Sequence, residues 1–476
     1  MKTNIILVFM FFGCTNSSIE ITDNHIDVLA IVDKKIITVN DFIKRAEYNV
    51  RPVYCSGNSY NDKKIILNSL IAEKIFALNT NLEMKNSHID LIEGRKEQKM
   101  REVYFNRYIY NATKVDSNEI SNVYHNSKKK FHISYLTLPK KDQLLKIHNL
   151  IIDSSATLDS ISKYYFNLEE VPKRKLSFID DFSDEMYLNF FSNDIKVGDI
   201  FGPIKIGNNY TIFRVDDWTQ IKNLSSINLK NEIASLTKTI KQTKSNIKYR
   251  KYINRIMKGK ELEINPDTYE ELVKNIYNSS INDSEKNNIK IKNLFINKEL
   301  KRNNFDEKNI FTLDGENWTV DDLNNLIKKN PIELNSDWDM NLLKKELKKI
   351  IIQKLEIFYV TREAYKNKID SHFLVKQEES NWKDYIKSNH LISSMAKTTK
   401  SNLNGKDLVS HVLNPYFDSL SNEYSDKIEI NEDKLSDIKL SKIDMHAFYK
   451  NQSYDLVVPL FPHTTSSLKQ NYLNHN

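Results

Sequence analysis

The chain has 476 residues, which is too long for a single hydrophobic core and indicates two or three domains. Its 40% hydrophobic and 28% charged residues, with a mean hydropathy of -0.55, exclude a polytopic membrane protein, and its 11% aromatic residues exclude disorder throughout. The net charge of +7 comes from lysines interleaved with Asp and Glu. That pattern is typical of solvated helix faces, so we expect no nucleic-acid partner.

The amino terminus has the features of an export signal. Lys2 precedes an apolar run from Ile5 to Phe12 that is too short to span a bilayer, and Gly13-Cys14 follows. A small residue followed by Cys at this place resembles the lipobox of bacterial lipoproteins, in which the Cys thiol is acylated and becomes the first residue of the mature chain. The resemblance implies lipidation at Cys14. An ordinary signal peptide with an incidental Cys is the alternative.

The cysteine and histidine content argues against disulfides and metals. Cys14 and Cys55 are the two cysteines, so a disulfide framework is impossible, and we expect Cys55 to be a half-buried thiol without chemistry. No Cys pair has zinc-ligand spacing and the histidines are scattered, so no metal is expected. The sequence also has no phosphate-binding glycine loop, so we expect neither a cofactor nor a nucleotide partner.

After a polar spacer, the residues from Val28 to Phe42 predict two short strands around an Asp33-Lys34-Lys35 turn. A helix is expected to begin near Asp41, with Asn40 or Thr38 as its cap. Apolar residues at helical spacing then predict helices over 62–82 and 90–112.

The first pattern returns later in the chain. Residues 311–323 match residues 30–42 position for position, with an apolar pair, an Asp turn, Thr-Val, an acid and a large apolar residue. An amphipathic helix over 339–368 follows the second copy. The two copies predict a duplicated helical lobe. Chance similarity between two short turns followed by helices is the alternative.

A different block lies between the copies. A strand is expected over 131–138, helices over 140–152 and 156–165, and two strands around Gly207. This order predicts a compact α+β module of about 90 residues. A long basic helix is expected over 227–258.

This arrangement resembles the SurA-type periplasmic chaperones and the related parvulin-domain lipoproteins. The matching pieces are Ala30-Ile31-Val32-Asp33 with Thr38-Val39-Asn40-Asp41-Phe42, Leu70-Ile71-Ala72-Glu73-Lys74, Val115-Asp116-Ser117-Asn118-Glu119-Ile120, and Gly198-Asp199-Ile200-Phe201-Gly202-Pro203. The last piece matches a turn of the parvulin domain. The resemblance covers residues 28–258 and, through the internal copy, 311–370.

Parvulins isomerise X-Pro bonds without covalent chemistry, beside a polar cluster of a His in the first strand, a Cys or Asp after the second helix and a His in the last strand. These positions fall at Tyr135, Leu168 and Thr211, so all three are replaced. His132 is three residues from Tyr135, which places it on the opposite strand face. We interpret it as a surface or edge histidine, and we expect no catalytic residues.

The family's apolar groove is also altered. Its Met position falls at Asp184 and its Phe position at Leu188, whereas sliding the frame by two residues places Met186 there. The residues expected to bind substrate are therefore Leu188, Met186 and Phe178.

Together these features predict an α+β protein with mostly helical chaperone lobes and one inserted parvulin-like domain. The resemblance implies a periplasmic, lipid-anchored chaperone that binds unfolded or outer-membrane proteins in a helical cradle, with the isomerase domain inactive. We expect this cradle to be lined by six aromatic residues: Tyr104, Phe105, Tyr108, Trp318, Phe358 and Tyr359. A weakly active peptidyl-prolyl isomerase is the alternative, and a structural lipoprotein with one dedicated partner is a third. The expected segments are a signal over 1–14, a first lobe over 15–128, the parvulin-like domain over 129–219, a basic helix and connection over 220–300, a second lobe over 301–400, and a region of unknown role over 401–476.

Overall fold

The structure, a computed structural model, describes residues 27–154, 157–167, 169–180, 183–221, 229–281, 288–292, 294, 303–335, 337–399, 403, 405–440, 457–468 and 473–474. The fold is mixed and mainly helical, with small sheets that are mostly antiparallel, consistent with the α+β class. The chain forms two compact units. The smaller unit runs from Tyr104 to Arg255, and the larger one contains described residues on both sides of it. Cys14, the signal segment 1–14 and Leu168 lie outside the described residues.

The larger unit begins with the predicted hairpin. Its turn residue Asp33 has φ +55°, in the left-handed region that Asp tolerates. Thr38 caps the next helix: its hydroxyl accepts a hydrogen bond from the Asp41 N–H at 3.0 Å, and the Asp41 carboxylate accepts one from the Thr38 N–H. The elements here are strands β1 Val28–Val32 and β2 Lys35–Thr38, and helices α1 Val39–Glu47, α2 Tyr60–Leu78 and α3 Asn86–Phe105.

The smaller unit contains a four-stranded antiparallel sheet in the order β4-β3-β6-β5. Its elements are α4 Ser117–Asn126, β3 Lys129–Leu138, α5 Lys141–Ser154, α6 Leu158–Phe166, β4 Lys173–Ser177, α7 Asp184–Phe191, β5 Ile200–Ile206 and β6 Asn209–Gln220, and α8 Leu229–Met257 leaves it. Strand β4 is not predicted from the sequence, and α7 is a third helix that the sequence predicts without bounds. The first three residues of β4 are exposed and basic, as is common at a sheet edge, so the apolar alternation of a strand is missing.

The larger unit resumes with a second lobe, residues 262–366. A three-stranded sheet in the order β10-β9-β7 and an antiparallel pair, β11 with β8, pack on its helices. The elements are β7 Leu262–Ile264, α9 Pro266–Ile281, β8 Asn288–Ile291, β9 Asn309–Leu313, β10 Glu316–Thr319, α10 Val320–Lys329, β11 Ile332–Asn335 and α11 Met340–Lys366.

The carboxy-terminal region packs on the amino-terminal hairpin. Strand β12 pairs antiparallel with β1, and residues from both ends of the chain, such as Leu29, Phe76 and Phe417, share one core. From here on, the name first lobe means this assembly of residues 27–78, 405–440 and 457–468, in place of the range 15–128 expected from the sequence. The remaining elements are α12 Phe373–Thr398, α13 Gly405–Leu408, α14 Asn414–Glu423, β12 Ile428–Ile430, α15 Glu432–Asp437 and β13 Leu473–Asn474. Among the described residues, no helix is long and apolar enough to cross a membrane.

Candidate functional site

The predicted catalytic positions lie on adjacent strands of the smaller unit. Tyr135 on β3 is opposite Phe213 on β6, with ring centroids 6.2 Å apart. Thr211 is opposite Thr137, and their hydroxyl oxygens are 2.9 Å apart. Because residues two apart share a strand face, Tyr135 and Thr211 lie on the same face of the sheet. Each of the two side chains presents a hydroxyl group, which can donate or accept a hydrogen bond.

The predicted substrate-binding residues belong to the core on that face. Met186 is 5% exposed, so a ligand reaches its side chain only if the core opens. Leu188 and Phe178 are half-buried against the same core. Asp184, which occupies the Met position in the unshifted frame, is buried and accepts a hydrogen bond from Arg250 at 2.8 Å. The alternation of β3 places His132 on the face opposite Tyr135.

The aromatic residues expected to line a client cradle form two groups, one in each unit. In the smaller unit, the rings of Tyr104 and Tyr108 are in tilted contact with centroids 4.7 Å apart, and Tyr108 is 42% exposed. In the second lobe, Trp318 packs against Phe358 with ring centroids 5.1 Å apart. The remaining two rings, Phe105 and Tyr359, are buried within these groups. A shared cradle of all six rings stays a prediction.

A different binding arrangement exists in the first lobe. Residues 457–468, which we call the strap, have neither helical nor strand structure and run across α1 and α2. The Arg45 guanidinium, in the last turn of α1, donates to the Leu460 carbonyl at 2.6 Å, and the amide of Asn49, just after the helix, donates to the Pro459 carbonyl at 3.2 Å. Two polar side chains at the end of α1 therefore hold adjacent main-chain carbonyls of the strap.

Helix α2 holds the other half of the strap in the same way. The Asn68 amide donates to the Ser467 carbonyl at 3.0 Å, and the Ser69 hydroxyl donates to the Thr465 carbonyl at 3.2 Å. In return, the Thr464 hydroxyl donates to the Ser69 carbonyl at 2.8 Å. The strap is thus bound along its length through its backbone.

Between these two sets of bonds, the strap inserts one large side chain. Phe461 is 3% exposed and belongs to the core of the first lobe. Thr464 and Thr465 are completely buried. The strap therefore combines main-chain hydrogen bonds with one aromatic anchor and two small hydroxyl residues.

A small pocket that is open to solvent, with a volume of about 20 Å³, lies beneath the start of the strap. Val458 and Pro459 of the strap form one wall. The other lining residues come from β2, α1, α2 and α12, and they are Ile37, Asp41, Lys44, Arg45, Leu70, Glu73, Lys74, Glu378 and Asn381. The wall opposite the strap is therefore strongly charged.

Three of the six charged residues that line the pocket, Arg45, Glu73 and Lys74, form ion pairs. Arg45 forms a bidentate ion pair with Glu73, at 2.7 and 3.0 Å, and both side chains are buried. Asp384, also buried, accepts from Lys74 at 2.9 Å and from Lys35 at 2.5 Å. The attraction within each pair offsets the large free-energy cost of burying a single charge.

Two groups beside the pocket have altered acidity. Burial, and next the positive charge of Lys99, lower the pKa of the Lys44 ammonium. Burial raises the pKa of Glu378, whose carboxylate accepts a hydrogen bond from the Trp382 indole at 2.8 Å. Lys44 forms no ion pair with any residue that the structure describes. Within the same described residues, no cluster of His, Cys, Asp and Glu suits a metal ion.

The sequence analysis did not identify the residues that bind the strap. A signal exists in α2, where Asn68, Ser69, Glu73 and Lys74 are buried between apolar residues. Buried polar residues within an apolar helix need partners, and here some of those partners are strap carbonyls. The Cys55 thiol, expected to be half-buried, is fully buried in the same core.

Comparison of the chain with known protein families, with curated proteins and with solved structures finds no match.

Proposed function

We propose that this chain is an exported, lipid-anchored chaperone that binds unfolded or outer-membrane proteins and performs no bond chemistry. The observation that carries the proposal is the strap, an extended segment held by side chains that donate to its carbonyls. Every peptide has such carbonyls, so this mode of binding tolerates many sequences. That tolerance is what a chaperone for unfolded chains needs.

The proposed test is suppression of aggregation. Protein lacking residues 1–14 is expected to keep an unfolded membrane β-barrel protein soluble at molar excess, with or without ATP. Bovine serum albumin at equal mass serves as the control for unspecific crowding. Equal aggregation with and without the protein would contradict the chaperone proposal.

The smaller unit is proposed to be a parvulin-like domain without isomerase activity. Its element order, strand, two helices, strand, helix and two strands, agrees with the resemblance. Tyr135 and Thr211 occupy the positions of the two imidazoles, and loss of one preorganised polar group typically costs about 10²–10³ in rate. We expect no measurable acceleration of proline isomerisation by the protein, and unchanged aggregation suppression in Tyr135→Phe and Thr211→Val. If the protein accelerates proline isomerisation and Tyr135→Phe abolishes that acceleration, the result would instead support a weakly active peptidyl-prolyl isomerase.

The two lobes are proposed to be copies of one unit. In each lobe a hairpin turns at an Asp with positive φ, and that Asp donates its N–H to the residue before a third strand: Asp33 to Lys427 at 2.8 Å, and Asp314 to Glu261 at 3.0 Å. Each third strand pairs antiparallel with the first strand of its hairpin.

The third strands are also alike in sequence. Ile428-Glu429-Ile430-Asn431 corresponds to Leu262-Glu263-Ile264-Asn265. The two Asn residues donate their N–H groups to Leu29 and Ile310, which are equivalent positions of the two hairpins. Both Asn side chains then accept from the first turn of the following helix. These shared bonds support duplication, and they place the third strand of the first lobe near the other end of the chain.

The lipid anchor is tested separately. Metabolic labelling with a fatty acid is expected to mark the full chain and to disappear in Cys14→Ser. Labelling that survives the substitution would support the ordinary signal peptide.

A further inference from the structure

We infer that the strap is an internal substitute for a client, and that an extended client segment binds the first lobe by displacing residues 457–468. This inference rests on the proposed function and names the site at which it takes place.

The first argument is the chemistry of the surface under the strap. A segment that only completes a core covers apolar surface, whose exposure to water is costly. Near Val458 to Leu460 the strap instead covers paired charges, among them Arg45, Glu73 and Lys74. Charged groups regain hydration when the strap leaves, so this part of the surface tolerates exposure.

The second argument is incomplete packing. Protein interiors are close-packed, with few voids larger than a water molecule. The pocket beneath Val458 and Pro459 is open to solvent and has a volume of about 20 Å³, enough for about one water molecule between the strap and the lobe. The contact of the strap with the lobe is therefore accessible to solvent at these two positions.

The third argument is the contrast with the second lobe. Asn49, which donates to the strap, corresponds to Asn330. Asn330 accepts from Arg101 of α3, and the backbone of this helix lies so close that a Cβ on Gly94 would be 2.2 Å from the Lys329 carbonyl oxygen. A regular helix thus covers the second lobe at close range, whereas an extended chain held by side-chain bonds covers the first.

The strap also defines the client class. The bonds to the carbonyls require an extended main chain. Among the segments that such bonds accept, the buried Phe461 favours an aromatic residue, and the buried Thr464 and Thr465 favour small hydroxyl residues three and four positions later. The expected ligand is therefore an extended segment with an aromatic residue followed by a Ser/Thr pair.

The experiment uses a fluorescent peptide with the strap sequence, Val-Val-Pro-Leu-Phe-Pro-His-Thr-Thr-Ser-Ser-Leu, and protein lacking residues 1–14. Fluorescence anisotropy measures the binding. Thr464→Val in the protein weakens the binding of the strap to the first lobe. It does not weaken the binding of the peptide, because the peptide keeps its Thr. The strap then loses the net free energy of one hydrogen bond, so the strap is displaced in a larger fraction of the protein molecules. Peptide affinity is therefore expected to rise about twofold to tenfold.

The same change in the peptide gives the mirror result. A peptide with Val in place of that Thr is expected to bind the unchanged protein more weakly by the same factor, and Thr464→Val protein with Val peptide is expected to return to the starting affinity. Asn68→Ala weakens strap and peptide alike, so it is expected to change the affinity little. The matched control is Thr113→Val, which removes an equivalent buried bond to a carbonyl in the smaller unit and should have no effect.

The outcomes separate this inference from the proposed function. Peptide affinity that is unchanged or lower in Thr464→Val, or no peptide binding at all, overturns the inference. If aggregation is still suppressed in that case, the chaperone proposal stands and its client site lies elsewhere. If the mirror relation holds while no variant suppresses aggregation, the strap site stands as a peptide site and the chaperone proposal fails.

Discussion

The buried ion pair under the strap offers the sharpest test of how the first lobe is stabilised. Replacing Arg45 by Met keeps most of the side-chain volume and removes the guanidinium. Arg45 is 5% exposed and Glu73 1% exposed, so the variant leaves a carboxylate buried without its partner. It also leaves the Leu460 carbonyl without its donor.

The expected cost follows from these two losses. Breaking a buried ion pair by removing one partner typically costs about 3–5 kcal/mol. The lost bond to Leu460 is coupled to that pair through the same guanidinium, so we do not add it separately. A loss of this size is a large part of the about 5–15 kcal/mol that stabilises an ordinary domain. Arg45→Met should therefore open the first lobe far more often than the native chain.

Hydrogen exchange measured by mass spectrometry is the suitable assay, because a chain with two units does not unfold in one step. We expect exchange in α2 to accelerate by about 10²-fold or more. Strand β3 of the smaller unit serves as the internal reference and should keep its rate. The double variant Arg45→Met/Glu73→Leu removes the stranded charge, so it should recover much of the protection.

Two results would refute this reasoning. One is hydrogen exchange in α2 of Arg45→Met that stays within about threefold of the native rate. The variant would then lose less than about 1 kcal/mol of stability against opening, which would mean that the Glu73 carboxylate finds water or another partner. The other is a double variant that is no better protected than the single one, because the loss would then come from packing or from the strap bond.

Two further predictions concern acidity and helix capping. Because burial raises the pKa of Glu378, the folded state holds its proton more tightly, and stability falls as pH rises above the ordinary value of 4.5. Glu378→Gln should therefore have a higher urea midpoint than the native chain at neutral pH and an equal one below 4.5; a gap that is independent of pH would contradict this. Thr38→Ala and Thr319→Ala each remove a helix cap, at a cost of about 1 kcal/mol. Each should accelerate hydrogen exchange about fivefold in its own helix only, and a response of both helices to either change would argue against two separate lobes.

The sequence alone was sufficient for the elements whose signals are local. The cap at Thr38 depends on Asp41, three residues away, and the same spacing returns at Thr319 and Asp322. The long helix expected over 227–258 is described from Leu229 to Met257, and the strand expected over 131–138 from Lys129 to Leu138. Helical periodicity and capping act within a few residues, so no knowledge of the fold was needed.

Elements that depend on a distant partner were missed. Strand β4 has little apolar alternation, and its pairing with β3 across the sheet decides its structure. The third strand of the first lobe, Ile428–Ile430, has three residues and is defined by its pairing with β1. Short segments of this kind have weak preferences of their own, and tertiary hydrogen bonds select their conformation.

The binding arrangement of the first lobe was decided by tertiary structure alone. Arg45 and Leu460 are 415 positions apart, and Asn49 and Pro459 are 410 apart. The strap has no periodicity, because most of its hydrogen bonds join it to single side chains at the end of α1, in α2 and at Asn414 of α14, and none belongs to a helical turn or a strand ladder of its own. A main-chain carbonyl is the same at every residue, so the sequence of the strap cannot indicate which side chains its carbonyls will meet.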